Sequence, residues 1–195
     1  MLLKLSRFFL FASVLCVVVV LASTFFPFIG GKYYFFRLCT ELSLAFMLLW
    51  WAFAAPAGEL KKRFEKISGS WIFRAVSVFV LMFLLASLFA DDPHIAFWSN
   101  YERGEGAFQM LHYYGFFVLL GLLFQDRKDW IKLFTISTVA AVLMILYGLA
   151  AAAGISGFIG PYRDGAGGPS HPTFLGRVFS DARFQGSLGN PAYVA

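Results

Sequence analysis

Arginines in two polar segments are the residues of this 195-residue chain best suited to hold an anionic group. The first segment is residues 97–106, FWSNYERGEG, and its cation is Arg103. A guanidinium binds phosphate oxygens through paired hydrogen bonds, and glycine lets the backbone approach a ligand closely. Arg103, with Glu102 and Glu105 as supporting groups, is therefore a candidate holder of a diphosphate. The alternative is an interfacial turn in which Arg103 pairs with one of these carboxylates.

The second segment is residues 183–191, RFQGSLGNP, and its sequence predicts the start of a helix. Asn190 is suited to the N-cap and Pro191 to the first helical position. The unpaired N–H groups and the positive dipole end of a helix start attract an anion. Gly189 and Asn190 are therefore a candidate anion site, to which Arg183 adds charge. Any capped helix offers the same N–H groups, so a purely structural role is the alternative.

Two further arginines, Arg163 and Arg177, lie in the stretch that precedes this helix start. Residues 154–188 are rich in glycine and proline but keep several phenylalanines, which favours a loop folded onto a membrane surface over a plain linker. Arginines in such a loop suit an anionic, lipid-linked ligand. We therefore add both to the candidate diphosphate site, with less weight than Arg103 and Arg183.

The composition indicates that membrane helices position these segments. Hydrophobic residues make up 59% of the chain and charged residues only 14%, against about 45–50% and about 25% in soluble proteins. This excludes a disordered tail, a collagen-like fibre and a disulfide scaffold, and it argues against a water-soluble domain. The net charge of +5 then orients membrane loops, and we expect no nucleic-acid partner.

Apolar runs of about 20 residues, the length that crosses a bilayer, predict the helices. The predicted fold class is all-α: a polytopic transmembrane helical bundle with five spans and the start of a sixth, in one transmembrane domain. The predicted spans are residues 8–29, 38–57, 71–90, 107–124 and 133–153, with the sixth starting at residue 190. Because the sixth run stops after a few residues, we expect the chain to be the N-terminal part of a longer protein.

The lysines and arginines predict an orientation. Two precede the first span, four lie between the second and third, and three lie between the fourth and fifth, whereas the first and third loops hold two and one. Cytoplasmic loops carry the excess of such residues, so we expect a cytoplasmic N-terminus. The loops at residues 91–106 and 154–189 then face outward, and both contain candidate arginines.

Two ionisable residues inside the predicted spans have open roles. His112 is either a proton carrier or an imidazole hydrogen-bonded to a neighbouring helix. Glu41 is either proton-coupled or lies at the outer interface opposite Lys32 or Arg37. The sequence has no phosphate-binding loop motif, paired-histidine zinc motif or serine-hydrolase elbow. We expect neither a cofactor nor a metal site.

In this order and on this side of the membrane, the two polar segments resemble the O-antigen ligase and polymerase-like family of bacterial envelope glycan enzymes. The first matching stretches are FWS at residues 97–99 and ERGEG at residues 102–106, ahead of a short span. The second is FQGSLGNP at residues 184–191, at the entry to the next span. The resemblance in topology covers the whole chain, whereas the resemblance in sequence motifs covers only these stretches.

The resemblance implies a metal-independent glycosyltransferase of the bacterial inner (cytoplasmic) membrane, acting on lipopolysaccharide or related envelope polysaccharides. Its implied partners are the lipid bilayer, an undecaprenyl-diphosphate-linked glycan and a lipid or protein acceptor of that glycan. Arginines hold the diphosphate in this family, which implies that role for Arg103 and Arg183. The family's activating histidine belongs to a later periplasmic loop, so we expect the catalytic base beyond Ala195 and no activity from residues 1–195 alone.

Two other classes of protein remain open from the sequence. A transporter or flippase for lipid-linked glycans also places arginines near a lipid diphosphate, and inverted repeats and interrupted helices are expected of it. A non-catalytic membrane assembly subunit needs neither of the two motifs. The two classes differ from the ligase interpretation in having no group-transfer chemistry.

Overall fold

A computed structural model of the chain describes residues 1–21, 28–100, 104–153, 155 and 187–188. In these residues the chain is helical and contains no strand. The α-helices of the described part are α1 (Leu2–Ser13), α2 (Gly30–Phe53), α3 (Glu59–Ser68), α4 (Trp71–Leu88), α5 (Pro93–Trp98), α6 (Ala107–Leu123) and α7 (Arg127–Ala152). A short 3-10 helix, Val14–Val18, continues α1. The predicted all-α fold class is confirmed to this extent.

Three of these helices are long and apolar enough to cross a membrane. They are α2, α4 and α7, with 24, 18 and 26 residues and mean hydropathies of 1.3, 2.2 and 2.2. Helix α6 is also apolar but has only 17 residues. The helices therefore indicate a membrane protein, whereas five spans and the start of a sixth stay a prediction.

Helices α4 and α6 coincide with the predicted segments to within two residues, but α2 begins much earlier than expected. We expected a break at Gly30, Gly31 and Lys32, and these residues form the first turn of α2. A Cβ on Gly31 would lie 2.8 Å from Leu21 Cγ, so glycine is needed for close packing here. Lys32 Nζ donates to the Val19 carbonyl at 2.7 Å, which ties the start of α2 to the chain that follows α1.

The first and fifth predicted segments are also shifted toward the N-terminus. Helix α1 begins at Leu2, so Lys4 and Arg7 are helical instead of forming a leader, and the 3-10 helix ends at Val18. Helix α7 begins at Arg127, six residues before the apolar run. Both shifts place charged residues on helices, where they contact other helices of the bundle.

Two short helices occupy regions that we expected to be loops. Helix α3 lies in the basic stretch between α2 and α4 and places Leu60, Phe64 and Ile67 at helical spacing. Helix α5 lies in the predicted outward loop. Asp92 accepts a hydrogen bond from the Ile95 N–H at 3.0 Å, and Pro93 takes the first helical position. Asp92 therefore starts α5 as an N-cap.

Small polar residues join α1 to α2. Ser6 Oγ donates to the Ser43 carbonyl at 2.7 Å, and Ser43 Oγ donates to the Ser6 carbonyl at 2.9 Å. Both side chains are fully buried. Small residues let helix backbones approach closely in a medium without water, and reciprocal hydrogen bonds satisfy their hydroxyls. Below this contact Leu10, Met47 and Leu119 contribute to one apolar cluster.

Arginines from two other helices bind the last carbonyls of α6. Arg7 Nη2 donates to the Leu123 carbonyl at 2.8 Å, and Arg63 Nη1 donates to the Leu122 carbonyl at 3.0 Å. Gln125 Nε2 adds a bond to the Gly121 carbonyl at 3.0 Å. The final turn of a helix lacks intrahelical partners for its carbonyls and has negative dipole character, and cations there are favourable. We call this end of the bundle, with the start of α1, α3 and the start of α7, the basic end.

Arg7 also lies beside a buried carboxylate of α7. Arg7 Nη1 is 3.5 Å from Asp129 Oδ2, and Asp129 is 8% exposed. Neither Asp129 Oδ2 nor Arg7 Nε has a hydrogen-bond partner among the described residues. The pair is thus held by charge more than by hydrogen bonding, and it links α1, α6 and α7.

We expect Arg7→Met to destabilise the protein by about 2 kcal/mol, because it removes a charged hydrogen bond and leaves Asp129 without its cation. The measurement is the melting temperature of the purified chain in detergent. Adding Asp129→Asn to Arg7→Met should restore part of the loss, since the unpaired charge is then gone. Lys128→Met, an exposed neighbour on α7, is the matched control. Equal melting temperatures for Arg7→Met and Lys128→Met would contradict the role of this contact.

Candidate functional site

The structure describes one of the predicted site residues, Glu105. The other predicted site residues lie outside the described residues: Glu102, Arg103, Arg163, Arg177, Arg183, Gly189 and Asn190. Their roles therefore stay predictions. Within the two polar segments the structure describes residues 97–100, 104–106 and 187–188.

A cavity of about 480 Å³ opens beside the first segment, at the end of the bundle opposite the basic end. We call it the α5 cavity, because α5 and the residues after it form one wall while the start of α2 forms the other. Its lining residues are Tyr33, Tyr34, Arg37, His94, Trp98, Ser99, Asn100, Gly104 and Phe108. The volume is in the range of small-ligand sites, and hydrogen-bonding side chains, aromatic rings and a guanidinium share the lining.

Arg37 of α2 is the charged centre of this cavity. Its Nε donates to Gln109 Oε1 at 2.7 Å and its Nη2 donates to the Gly104 carbonyl at 2.9 Å. The guanidinium carbon lies 4.7 Å from the Tyr33 ring centre and 4.8 Å from the Phe108 ring centre. Hydrogen bonds and cation–π contacts from two helices and a loop therefore hold the cation in one orientation. Its contacts with described residues use two of the five guanidinium N–H groups.

Glycines shape the backbone between α5 and α6. Gly104 has a φ of +62°, which favours glycine, and its N–H donates to the Asn100 carbonyl at 3.0 Å. A Cβ on Gly104 would lie 2.9 Å from the Tyr33 ring, and a Cβ on Gly106 would lie 2.8 Å from the Ser99 nitrogen and closer still to the Phe97 carbonyl. Gly104 and Gly106 thus bring the described backbone before α6 close to α2 and to α5.

A second cavity of about 280 Å³ brings the two polar segments together. Glu105 of the first segment and Leu188 of the second both line it, together with Lys32, Gln109 and Tyr113. Tyr33 lines this cavity as well as the α5 cavity. Ser187 Oγ donates to the Val17 carbonyl at 2.5 Å. The residues directly before Gly189 and the residues directly after Arg103 therefore meet at one end of the bundle, and we call this the junction cavity.

Glu41 and His112 form a separate pair between α2 and α6. His112 Nε2 lies 2.9 Å from Glu41 Oε1, and His112 Nδ1 lies 2.8 Å from the Phe108 carbonyl. The Glu41 side chain is 58% exposed, whereas that of His112 is 10% exposed. His112 is hydrogen-bonded to a neighbouring helix, one of the two roles left open, and the side chain with which it pairs is Glu41.

Arg37 is a site residue that the sequence patterns do not indicate. The second span was predicted to start at residue 38, which left Arg37 in a loop, whereas it lies in the second turn of α2. The sequence does contain an indication that Arg37 is helical, because residues 33–36, YYFF, precede it without a helix breaker. Gln109 of α6, which accepts from Arg37 Nε, is the second residue that the structure adds to the site.

The α5 cavity can bind an anion and orient it. Arg37 supplies a fixed positive charge, and the His94, Ser99 and Asn100 side chains supply hydrogen-bonding groups along the same lining. Within residues 1–21, 28–100 and 104–153, no group of three or more His, Cys, Asp or Glu side chains is placed to hold a metal ion. Arg37 and these polar side chains can hold an anion by charge and by hydrogen bonds.

We expect Gly106→Ala to destabilise the chain by about 1–3 kcal/mol, because the added methyl overlaps the Phe97 carbonyl. Gly115→Ala, within the helix that Gly106 precedes, is the matched control, since its Cβ would lie 3.8 Å from Thr40 Cγ2 in ordinary contact. That control should leave stability unchanged or raise it, because alanine is the better helix former. Melting temperatures of the three proteins in one detergent make the comparison, and equal values for both variants would contradict the packing of Gly106.

Comparisons with known proteins leave the family of this chain open. No protein-family model matches the sequence, and neither a curated protein nor a solved structure matches it. The function must therefore be inferred from the α5 cavity, the junction cavity and the two polar segments that border them.

Proposed function

We propose that this chain is part of a bacterial membrane glycan ligase or polymerase. It transfers or extends a polysaccharide carried on undecaprenyl diphosphate at the outer face of the inner membrane. The observation that carries the proposal is the junction cavity, which Glu105 and Leu188 line together. These residues belong to the two segments whose order and motifs resemble the O-antigen ligase and polymerase-like family.

The chemistry of glycan transfer explains why arginines are needed there. An acceptor hydroxyl oxygen attacks the anomeric carbon of the glycan, the bond from that carbon to the diphosphate breaks, and undecaprenyl diphosphate leaves with the electron pair. A base takes the hydroxyl proton. The leaving diphosphate gains negative charge, which fixed guanidinium groups stabilise. We assign Arg103 and Arg183 to this role, with Arg163 and Arg177 as secondary candidates, and we assign the base to no residue of this chain.

Arg37, unlike Arg103 and Arg183, is among the described residues, and its contacts support the proposal. It gives the α5 cavity a charge that is already oriented by Gln109 and the Gly104 carbonyl. A preorganised cation needs no rearrangement when a diphosphate arrives. Gly104 follows Arg103 directly in the chain, so two cations belong to neighbouring parts of the same site in this proposal.

The distribution of charge supports the orientation that the proposal requires. Arg7, Arg63 and Lys66 lie at the basic end, where they contact the end of α6 or Gln125. The excess of lysine and arginine marks the cytoplasmic side. The α5 cavity lies at the opposite end, which in this orientation faces outward, toward the lipid-linked glycan.

We expect Arg103→Ala and Arg183→Ala each to lower glycan transfer by about 10- to 100-fold in the protein expressed from the complete reading frame, because each removes a cation from the leaving group. Arg37→Ala should have a similar effect, and Arg103→Lys should keep part of the activity as a point charge without the paired hydrogen bonds. The measurement is glycan transfer in membranes, normalised to the amount of protein by immunoblot.

Arg127→Ala is the matched control, since this arginine is exposed at the basic end and should leave transfer unchanged. Full activity in both Arg103→Ala and Arg183→Ala would end the assignment of the diphosphate site. A reporter fused after Gly168 tests the orientation independently, and an active cytoplasmic reporter there would overturn the glycan proposal as a whole.

A further inference from the structure

A groove of about 360 Å³ lies at the basic end, between α3, α4, the end of α6 and the start of α7. Its walls are apolar and largely aromatic. Phe73 and Phe117 stack at 6.1 Å between ring centres, and Phe124 and Trp130 meet edge to face at 5.5 Å. We call this the basic-end groove, and it is far from the α5 cavity and the two polar segments.

Polar groups are concentrated at one rim of this groove. Lys66 Nζ donates to Gln125 Oε1 at 3.0 Å, and Ser70 lies beside them on the lining. Lys66 and Ser70 are both exposed. The groove thus combines an apolar body with a cationic rim. These two parts complement the apolar acyl chains and the anionic phosphate of a phospholipid.

The groove is open toward the surroundings of α4. Ile72, which lines it, is 69% exposed, and Trp71 beside it is 80% exposed. Two of the 18 residues of α4, Val80 and Ser87, are buried. In a bilayer the exposed side chains face lipid, so an acyl chain reaches the groove from the side without crossing the protein.

The net charge of the basic end favours an anionic headgroup, and Lys66 is the cation of that end that lines the groove. Ten lysines and arginines lie at the basic end, in residues 4–7, 61–74 and 127–132, against four carboxylates in residues 59–65 and 126–129. Basic clusters at the membrane surface and basic pockets between membrane helices attract anionic lipids. A groove for a neutral partner helix would need none of this charge at its rim.

We propose that the basic-end groove binds an anionic phospholipid of the phosphatidylglycerol type. One acyl chain lies along Phe73, Phe117 and Phe124, and the phosphate pairs with the Lys66 ammonium. Trp130 lies at the level of the headgroup, the usual depth of tryptophan in a membrane. This inference does not rest on glycan transfer, because none of its residues belongs to the candidate diphosphate site.

The test compares the stabilisation of the purified full-length protein by two lipids in a neutral detergent. Titration with phosphatidylglycerol should raise the melting temperature at lower concentration than titration with phosphatidylcholine. In Lys66→Gln this preference should fall about fivefold, because one cation near the phosphate is lost. Lys66→Gln keeps a polar side chain on α3 and removes no buried group, so the variant is expected to fold.

Lys62→Gln is the matched control, since Lys62 is an exposed lysine of the same helix that does not line the groove. It should keep the preference of the wild type. Equal losses in both variants would mean general charge attraction and overturn the site, and so would equal effects of the two lipids. Glycerol phosphate alone should not stabilise the protein; if it does, the ligand is a soluble phosphate and the lipid proposal is wrong. These readouts do not depend on glycan transfer, so the two proposals fail separately.

Discussion

In an apolar medium the carbonyls at the end of a helix need donors from elsewhere in the protein, and the last turn of α6 depends on this requirement. Arg7 of α1 and Arg63 of α3 donate to the Leu123 and Leu122 carbonyls. Each arginine also has a carboxylate beside it, Asp129 for Arg7 and Glu59 for Arg63. Four helices are thereby joined at one point, and the position of α6 in the bundle follows from it. The other end of α6 is fixed independently, by Arg37 through Gln109 and the Gly104 carbonyl.

This double attachment relates the fold to the proposed chemistry. Arg7 and Arg63 each donate to one carbonyl of α6 and lie beside a carboxylate, which makes them structural groups. Arg37 also donates to one carbonyl, but it lines a cavity with polar side chains. The same residue type thus serves both ends of α6, and the surroundings decide its role. At the α5 end, glycines bring the backbone close enough for Tyr33 to pack on Gly104. The cation is held there without being enclosed.

Apolar runs predicted α4 and α6 to within two residues, because a long apolar run is by itself a signal for a membrane-type helix. The starts of α2 and α7 were missed because charged residues at both, Lys32 and Asp129, bind partners that the local sequence does not contain. Helix α3 is short and amphipathic, and its basic residues lower the hydropathy of the stretch. The hydropathy pattern therefore predicts a loop there. Arg37 lies in this early part of α2, which the apolar run does not include. The meeting of Glu105 with Leu188 depends on contacts across the bundle, which no local pattern contains.

The shortness of α6 has a consequence for the bilayer. Seventeen residues extend about 25 Å at about 1.5 Å per residue, less than the hydrocarbon thickness of about 30 Å. Both ends of α6 are tied to arginines, so the helix cannot extend to make up the difference. In the predicted arrangement, in which α6 crosses the bilayer, the membrane would adapt instead, by thinning locally. A polar headgroup beside α6 would then lie deeper than elsewhere in the leaflet, and the protein would partition into thinner regions of its membrane.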